Sequence, residues 1–546
     1  GVFMLVIQGK QVFPAIAAGP LAFFRKNTGF TALRHIKDTE AEVQRFQTAR
    51  KISIEQLRSL YARALGRIGE TEAAIFEVHQ IMLDDNDYIE GIERLIRNEK
   101  MNAEVAVEQV AHQFAEMFRS MSDAYMQERA VDILDISRRV QGQLNGGKRD
   151  DLSAYNGTIL VADDLSPGEI LQLDTNKVLG FVTSCGSTSS HAAILARTLS
   201  MPAVVNTGLV LSADVEGKLA IIDGFTGTVY IDPDHATMAA MKKKQDEAVI
   251  HKKYLDTFCG KKTYTADGKR INVFANVDNL GNLSQIIAND AEGIGLFRSE
   301  FLYFENTGYP SEEQQFVVYK KITEMMQGKT VIIRTLDIGA DKKVDYFDLK
   351  KEENPAMGMR AIRICLMRPE LFKTQLRALC RASAYGNIAV MFPLIISVDE
   401  VRRSRILLSQ VQDELRQQKI PFDKEMQVGI MIETPAAAII SDELAKEVDF
   451  FSIGSNDLTQ YTLAIDRQQS DLDEFFDPHH PAVLRLIDMT VKNGHKEGIW
   501  VGICGELGAD LSLAETFLRM GVDEFSVNPP SVLSLREKIS SVDLSK

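Results

Sequence analysis

The sequence predicts a multidomain α/β protein: an α/β domain interrupted by an inserted helical bundle, a linker helix, and a C-terminal (β/α)8 barrel of the TIM type. Three observations predict it. Helix formers in 3.6-residue stripes, with hardly a Gly or Pro, fill the region from about Ala32 to Leu144. Short β-type runs separated by turn residues follow it. Finally, eight short apolar runs, with helical patterns between several of them, occupy roughly the last 280 residues, the size and count of a (β/α)8 barrel.

The N-terminal run 3–7 reads as a first strand and the turn-rich stretch 14–19 as a second. Runs at 157–162, 178–182 and 219–223 complete that sheet, so the intervening helices are an insertion within one α/β domain. The polar, Gly-bearing stretch Asn145-Gly146-Gly147-Lys148-Arg149-Asp150-Asp151 closes the insertion. The charged stretch 235–258, with Lys242-Lys243-Lys244-Gln245-Asp246-Glu247, reads as an exposed connecting helix. Expected boundaries are 1–30 with 147–233 for the α/β domain, 31–146 for the helical insertion, 234–262 for the linker and 263–546 for the barrel. Barrel strands are expected at 271–277, 293–297, 331–333, 388–392, 428–432, 450–453, 500–503 and 524–527.

Composition narrows the function classes. With 45% hydrophobic and 25% charged residues the 546-residue chain is an ordinary globular one. A net charge of −14 and a pI near 5.3 argue against nucleic acid and anionic membrane as partners. There is no run of 18 apolar residues, so no membrane insertion is expected, and the cytoplasm is the default compartment. Five scattered cysteines without a C-x-x-C pair fit reduced thiols.

Two constellations carry chemistry. In the first, Ser187-Thr188-Ser189-Ser190-His191 runs straight into the helix-forming Ala192-Ala193-Ile194-Leu195-Ala196-Arg197. Free N–H groups and the positive dipole end at a helix mouth favour a phosphate and disfavour imidazolium, so His191 is expected to be neutral and nucleophilic. The second lies at the ends of the barrel runs, which offer Asn276, Arg298, Arg334, Pro393, Glu433, Asn456 with Asp457, Cys504 and Asn528. Active sites of such barrels form at the C-terminal strand ends, so these groups are expected at one mouth. Arg298 and Arg334, joined by Arg360 and Arg467, offer forks for a polyanion. Glu433 and Asp457 offer hard oxygens suited to Mg²⁺ together with substrate oxygens and water. Cys504 is a candidate proton donor, because a free thiol with a pKa of about 8.5 is mostly protonated near neutrality. A nucleophilic histidine and a metal-assisted anion site point to phosphoryl transfer, and no G-x-x-x-x-G-K-[ST] loop calls for a nucleotide.

These residues resemble Enzyme I of the bacterial sugar phosphotransferase system, the phosphoenolpyruvate-protein phosphotransferase family. The resemblance covers nearly the whole chain and rests on Gly295-Leu296-Phe297-Arg298-Ser299-Glu300-Phe301-Leu302, Lys351-Glu352-Glu353-Asn354-Pro355, Ile432-Glu433-Thr434-Pro435-Ala436-Ala437-Ala438, the stretch from Phe450 to Tyr461, and Cys504-Gly505-Glu506. It implies that the first domain is a phosphohistidine domain. His191 would take the phosphoryl group of phosphoenolpyruvate, with Mg²⁺ on Glu433 and Asp457 and the phosphate gripped by Arg298, Arg334 and Arg467. Arg360 and Asn456 would complete the substrate site. Cys504 would protonate the departing enolate to pyruvate. The resemblance further implies transfer to the phosphocarrier HPr docked on the helical insertion, and a homodimer through the barrel. An acidic stretch supports the docking: from Ile68 to Glu93 there is no Lys or Arg, against eight acidic residues. Because His191 must serve two partners, hinges are expected near Asn145 and after Asp232.

Two departures from the family pattern stand out. The usual Gly-Gly-x-Thr-Ser-His reads Gly186-Ser187-Thr188-Ser189-Ser190-His191, and the usual Pro-Gly-Ile-Ala reads Pro14-Ala15-Ile16-Ala17. Competing expectations are a pyruvate phosphate dikinase or phosphoenolpyruvate synthase lacking its nucleotide domain, disfavoured by only about 30 residues ahead of the insertion, and a non-catalytic phosphoenolpyruvate-sensing regulator, disfavoured by the intact reacting groups.

Overall fold

The computed structural model describes residues 4–25, 32–68, 70–120, 124–146, 152, 155–186, 188, 191–210, 212, 214–278, 283–304, 306, 308–339, 344–466 and 474–546. Contacts within the chain divide it into two units, 1–251 and 252–546.

The first unit is built on an eight-stranded sheet. Its strands are β1 (Leu5–Gln8), β2 (Lys10–Phe13), β3 (Ile16–Phe23), β4 (Ile159–Ala162), β5 (Gly180–Thr183), β6 (Ala203–Val205), β7 (Leu219–Asp223) and β8 (Thr228–Ile231), in the order β1-β8-β7-β3-β4-β5-β6-β2. β3 and β4 pair in parallel, Leu21 opposite Ile159 and Phe23 opposite Val161. Between these two hydrogen-bonded neighbours the chain runs through α1 (Thr39–Ile68), α2 (Glu70–Leu83), α3 (Asn86–Glu99), α4 (Ala103–Ser120) and α5 (Ala124–Leu144). The helices are therefore an insertion in a continuous sheet, as their periodicity predicts. The sequence reading missed β2, β6 and β8. β2 and β8 begin on polar residues and β6 has only three residues, so none offers the apolar run of four or five by which the equally short β1, β4 and β5 could be read.

Two short helices finish the sheet domain. Helix α6 (Pro167–Gln172) starts on a capping box in which Ser166 and Glu169 satisfy each other's backbone N–H groups. Helix α7 (His191–Thr198) begins at the expected histidine. A longer helix, α8 (His235–Asp256), buries none of its side chains, as its charge pattern predicts. Ala15 takes the place of the family's glycine without backbone strain, since it is not among the positive-φ residues. The close approach belongs to Gly224, where a Cβ would lie 2.1 Å from the carbonyl oxygen of Phe13.

The second unit is a closed barrel of eight parallel strands: β9 (Asn272–Val277), β10 (Ile294–Arg298), β11 (Val331–Arg334), β12 (Ile388–Phe392), β13 (Val428–Ile432), β14 (Phe450–Gly454), β15 (Trp500–Cys504) and β16 (Glu524–Val527). All eight expected runs are strands, with ends shifted by one residue at most. Alternation along each strand separates two cores. Outward residues such as Val390, Ile430, Phe451 and Val501 pack against the surrounding helices, while Phe274, Leu296, Ile332, Met391, Met431, Phe450 and Cys504 form a smaller cluster inside the barrel.

Candidate functional site

Inward parity at the strand ends builds the site. Two residues beyond an interior apolar residue, each strand offers its next inward side chain: Leu296 leads to Arg298, Ile332 to Arg334, Met431 to Glu433 and Gly502 to Cys504. With Arg360, Asn456 and Asp457, all of these line one cavity of about 530 Å³ at the C-terminal ends of the strands. Asp337, Glu353, Asn354, Gln460 and Tyr461 line it as well.

The guanidinium groups are held by carboxylates. Arg360 spans Asp337 with Nη2 at 2.9 and 3.2 Å from its two oxygens, and its Nη1 donates to the Tyr461 hydroxyl at 3.1 Å. Arg334 pairs with both Glu300 and Asp337 at 3.2 Å. Burial opposes the charge on both arginines, but Glu300 and Asp337 at Arg334, and Asp337 and Asp457 at Arg360, more than offset it, so both pKa values rise. Arg298 reaches Asp278 at 3.1 Å and leaves its buried Nε without a partner. Its side chain is 39% exposed, which makes it the most accessible of the three.

The two metal-candidate carboxylates arrive from adjacent strands. Glu433 follows β13, and Asp457 sits in the first turn of the helix Ser455–Leu463 that follows β14, where the helix dipole favours a negative charge. Burial, followed by the charges of Asp457 and Asp337, raises Glu433 to a pKa of about 8. Among the described residues no cluster of three His, Cys, Asp or Glu side chains could enclose a metal by itself.

Cys504 ends β15 with 2% of its surface exposed. Its thiol lies 3.4 Å from the Ile453 carbonyl and receives the Ser452 hydroxyl at 3.6 Å. Burial pushes that thiol up to about 12. The next residue, Gly505, has φ +88°, and a Cβ there would lie 2.4 Å from Ser455 Oγ. That close approach lets Asn456 Oδ1 accept from the Glu506 N–H at 2.9 Å. The other thiols stand elsewhere: Cys185 is exposed, Cys259 is half-buried, and Cys365 and Cys380 are buried in the shell outside the barrel.

The convergence is narrower than expected at three positions and wider at others. Asn276, Pro393 and Asn528 do not line the cavity. Asn276 turns inward but is taken up by the Ser526 hydroxyl at 2.6 Å, while Asn528 is exposed. Arg467 lies outside the described residues, although Ile465 and Asp466 before it line the cavity. Ser187, Ser189, Ser190 and the side chain of His191 also lie outside them. Sequence reasoning missed Asp337, which stands three residues after Arg334 on a segment with neither helical nor strand periodicity. It also gave Tyr461 no role, although Tyr461 lies within one of the family-like stretches.

Comparison with known proteins places the chain. The model of the PEP-binding domain of PEP-utilising enzymes matches residues 252–544, that of their N-terminal domain residues 8–129, and that of their mobile domain residues 154–227. The phosphoenolpyruvate-protein phosphotransferase of Priestia megaterium is 42% identical over 535 residues, covering 98% of this chain and 93% of that protein. Its counterpart in Haemophilus influenzae is 42% identical over 541 residues, covering 98% and 94%. With likeness of that extent across the sheet domain, its helical insertion and the barrel, the chain belongs to the phosphoenolpyruvate-protein phosphotransferase family.

Proposed function

We propose that this protein transfers the phosphoryl group of phosphoenolpyruvate to its own His191, releases pyruvate, and passes the group to a histidine of the phosphocarrier HPr, the first step of a sugar phosphotransferase system. The observation that carries this reading is the single cavity shared by Arg298, Arg334, Arg360, Glu433, Asn456, Asp457 and Cys504. Guanidinium groups match phosphate and carboxylate oxygens, and Cys504, in the wall of the same cavity, would give a proton to the carbon of the departing enolate. In this reading Arg298, Arg334, Arg360, Asn456 and Arg467 hold the substrate.

The charge balance calls for a cation. Arg298, Arg334 and Arg360 already face Asp278, Glu300 and Asp337. Glu433 and Asp457 add two more acids, and burial, followed by the charges of Asp457 and Asp337, raises Glu433 to about 8. A polyanionic substrate would be repelled by such a site without further positive charge. Two hard carboxylates fit Mg²⁺, which binds through one or two carboxylates plus substrate oxygens and water. When bound, Mg²⁺ supplies charge neutralisation on the transferred group. The chain's own groups orient the substrate, exclude water and deliver the proton.

HPr docks, in this reading, on the helical insertion 31–146. Exposed Glu77, Asp84, Asp85, Asp87 and Glu90 on and between α2 and α3 suit a basic partner, although Asp84 is shared with Arg50. His191 serves the cavity and then the carrier. Asn145, at the end of α5, and Asp232, with φ +51° just before α8, are the proposed hinges. A homodimer through the barrel and a cytoplasmic location complete the reading. The latter is supported by five unpaired cysteines, and among the described residues no helix is long and apolar enough to cross a membrane.

The test is intact-protein mass after incubation with phosphoenolpyruvate and Mg²⁺ but no nucleotide. One acid-labile phosphoryl group should be gained, and lost in His191→Ala. Binding of phosphoenolpyruvate without any mass gain would overturn the reading.

A further inference from the structure

Four polar side chains are shut into the shell around the barrel: Ser299, Gln315, Tyr319 and Gln375, each at most 1% exposed. None of them lines the cavity. Polar groups so deeply buried depend on one another for hydrogen bonds, and these four form a continuous chain. Gln375, on the helix Pro369–Ser383, donates from Nε2 to the Ser299 hydroxyl at 2.9 Å and to the Tyr319 hydroxyl at 3.1 Å, while its Oε1 accepts from the Leu336 N–H at 3.0 Å. Ser299 in turn donates to the Arg334 carbonyl at 2.7 Å. Tyr319, on the helix Glu312–Met325, donates to Gln315 Oε1 at 3.0 Å, and Gln315 Nε2 donates to the Pro310 carbonyl at 3.1 Å. The Gln375 amide can stand only this way round, because turned over it would set its own N–H groups against the Leu336 N–H.

One end of this chain lies on the backbone that carries the arginines of the cavity. Ser299 directly follows Arg298 at the end of β10, and Leu336 stands two residues past Arg334 at the end of β11. Gln375 therefore holds both strand ends from outside the barrel, β10 through Ser299 and β11 through Leu336 and, by way of Ser299, the Arg334 carbonyl. The three N–H groups that follow Arg334 are claimed by three different parts of the fold. Thr335 donates to the Met391 carbonyl of β12 at 3.0 Å, Leu336 to Gln375, and Asp337 to Glu300 Oε1 at 3.0 Å. Asp337, the next residue after the one Gln375 holds, pairs with both Arg334 and Arg360.

We propose that Gln375 is a positioning residue for the substrate site: by tying the ends of β10 and β11 to one outer helix, it fixes where Arg334 and Asp337 present their charges in the cavity. The proposal rests on the reading of Arg334 as a substrate-holding residue given above. Gln375 touches no substrate and acts only through the backbone of Arg334 and Leu336. A guanidinium fork matches phosphate oxygens over a narrow range of position, so a small shift of its backbone weakens the grip while leaving the charge in place.

The split between KM and kcat separates this role from a structural one. Gln375→Met keeps the length of the side chain and removes all three of its hydrogen bonds. In pyruvate production with Mg²⁺ and excess HPr, we expect it to raise KM for phosphoenolpyruvate by about tenfold and to hold kcat within about twofold. A residue that only stabilises the fold would lower the active fraction, and with it the apparent kcat, at unchanged KM; that result would overturn the proposal. Arg334→Lys supplies the second readout. With that substitution already present, adding Gln375→Met should raise KM by less than about threefold, because the fork it positions is gone. A further full tenfold rise would show that Gln375 does not act through Arg334. If the methionine variant does not fold, Ser299→Ala carries the test. It removes only the hydroxyl that joins Gln375 to the Arg334 carbonyl, and KM should rise by about threefold or more, whereas an unchanged KM would overturn the proposal. Absence of phosphoryl transfer from phosphoenolpyruvate to the parent would instead overturn the reading of the protein as a phosphotransferase.

Discussion

The backbone N–H of Leu394 donates to Oε1 of Glu433 across 2.6 Å, from a residue held at φ +53°. A non-glycine residue in that region costs about 1–3 kcal/mol, and the turn after β12 sustains it while aiming a donor at the carboxylate. One hydrogen bond does not offset burial and two neighbouring acids, because Glu433 still rises to about 8.

A metal-linked pH dependence follows. The pKa of Glu433 is raised on folding from 4.5 to about 8, so in the metal-free protein the unfolded chain loses this proton first. Its contribution to stability is intact below pH 4.5 and is lost as pH rises through 8. A divalent cation that holds the carboxylate removes the loss. The rise in Tm produced by saturating Mg²⁺ should therefore be larger at pH 8 than at pH 5, and Glu433→Gln should flatten the difference. A Tm increment that shrinks with pH would contradict this.

The cysteines should divide by reactivity. Burial raises Cys504 to about 12 and Cys380 to about 12, whereas Cys185 is exposed. Since the thiolate is the nucleophile, iodoacetamide at pH 8 should label Cys185 and leave Cys504 unmodified in the native protein. The folded thiol of Cys504 outlasts the unfolded one between pH 9.0 and about 12, so its contribution to stability is full below that window and falls across it. Peptide mapping after brief alkylation is the measurement. Equal labelling of Cys504 and Cys185 would show that the thiol is neither buried nor raised.

Gly505→Ala should be costly for two separate reasons. The φ of +88° is unfavourable for alanine, and the new Cβ would meet Ser455 Oγ at 2.4 Å and Asn456 Oδ1 at 2.9 Å. We expect a loss of about 1–3 kcal/mol in stability, read by urea unfolding. Displacement of Asn456 and Cys504 should also lower kcat for pyruvate formation. A variant with unchanged stability and kcat would refute the close approach.

The barrel was legible in the sequence because each strand is a short apolar run and several lead to a reactive inward residue, as in Met431 to Glu433 or Gly502 to Cys504. The sheet of the first unit was less so. β2, β6 and β8 lack an apolar run of four or five residues, and their place in the order comes from pairings such as Lys10 with Val205 and Gln8 with Thr228 that no local pattern records. Within the cavity, Arg334 and Arg360 could be read as anion forks, but Asp337 could not be read as their common partner. That pairing joins Asp337, three residues past the end of β11, to a residue 23 positions later in the chain. Ala361, at φ +53° beside Arg360, is equally silent in sequence, since alanine carries no signal for a left-handed conformation.

Arg360→Lys tests whether that shared acid organises the cavity. The guanidinium spans both oxygens of Asp337 and also reaches Tyr461, whose hydroxyl in turn donates to the Ala356 carbonyl in the segment that covers the cavity. A lysine keeps the charge but gathers its donors on one nitrogen, so it loses the planar fork with which Arg360 spans Asp337 and reaches Tyr461 from separate nitrogens. The fold should survive, because Arg334 still neutralises Asp337 at 3.2 Å. The lost bidentate geometry should cost about 1.5–3 kcal/mol in substrate binding, a rise of roughly 10-fold to 150-fold in KM for phosphoenolpyruvate. Tyr461→Phe, which removes only the hydroxyl, should produce a smaller rise, and the double variant should cost less than the sum of the two. Additive effects would place Arg360 and Tyr461 in separate roles and break the chain of contacts from Asp337 to Ala356.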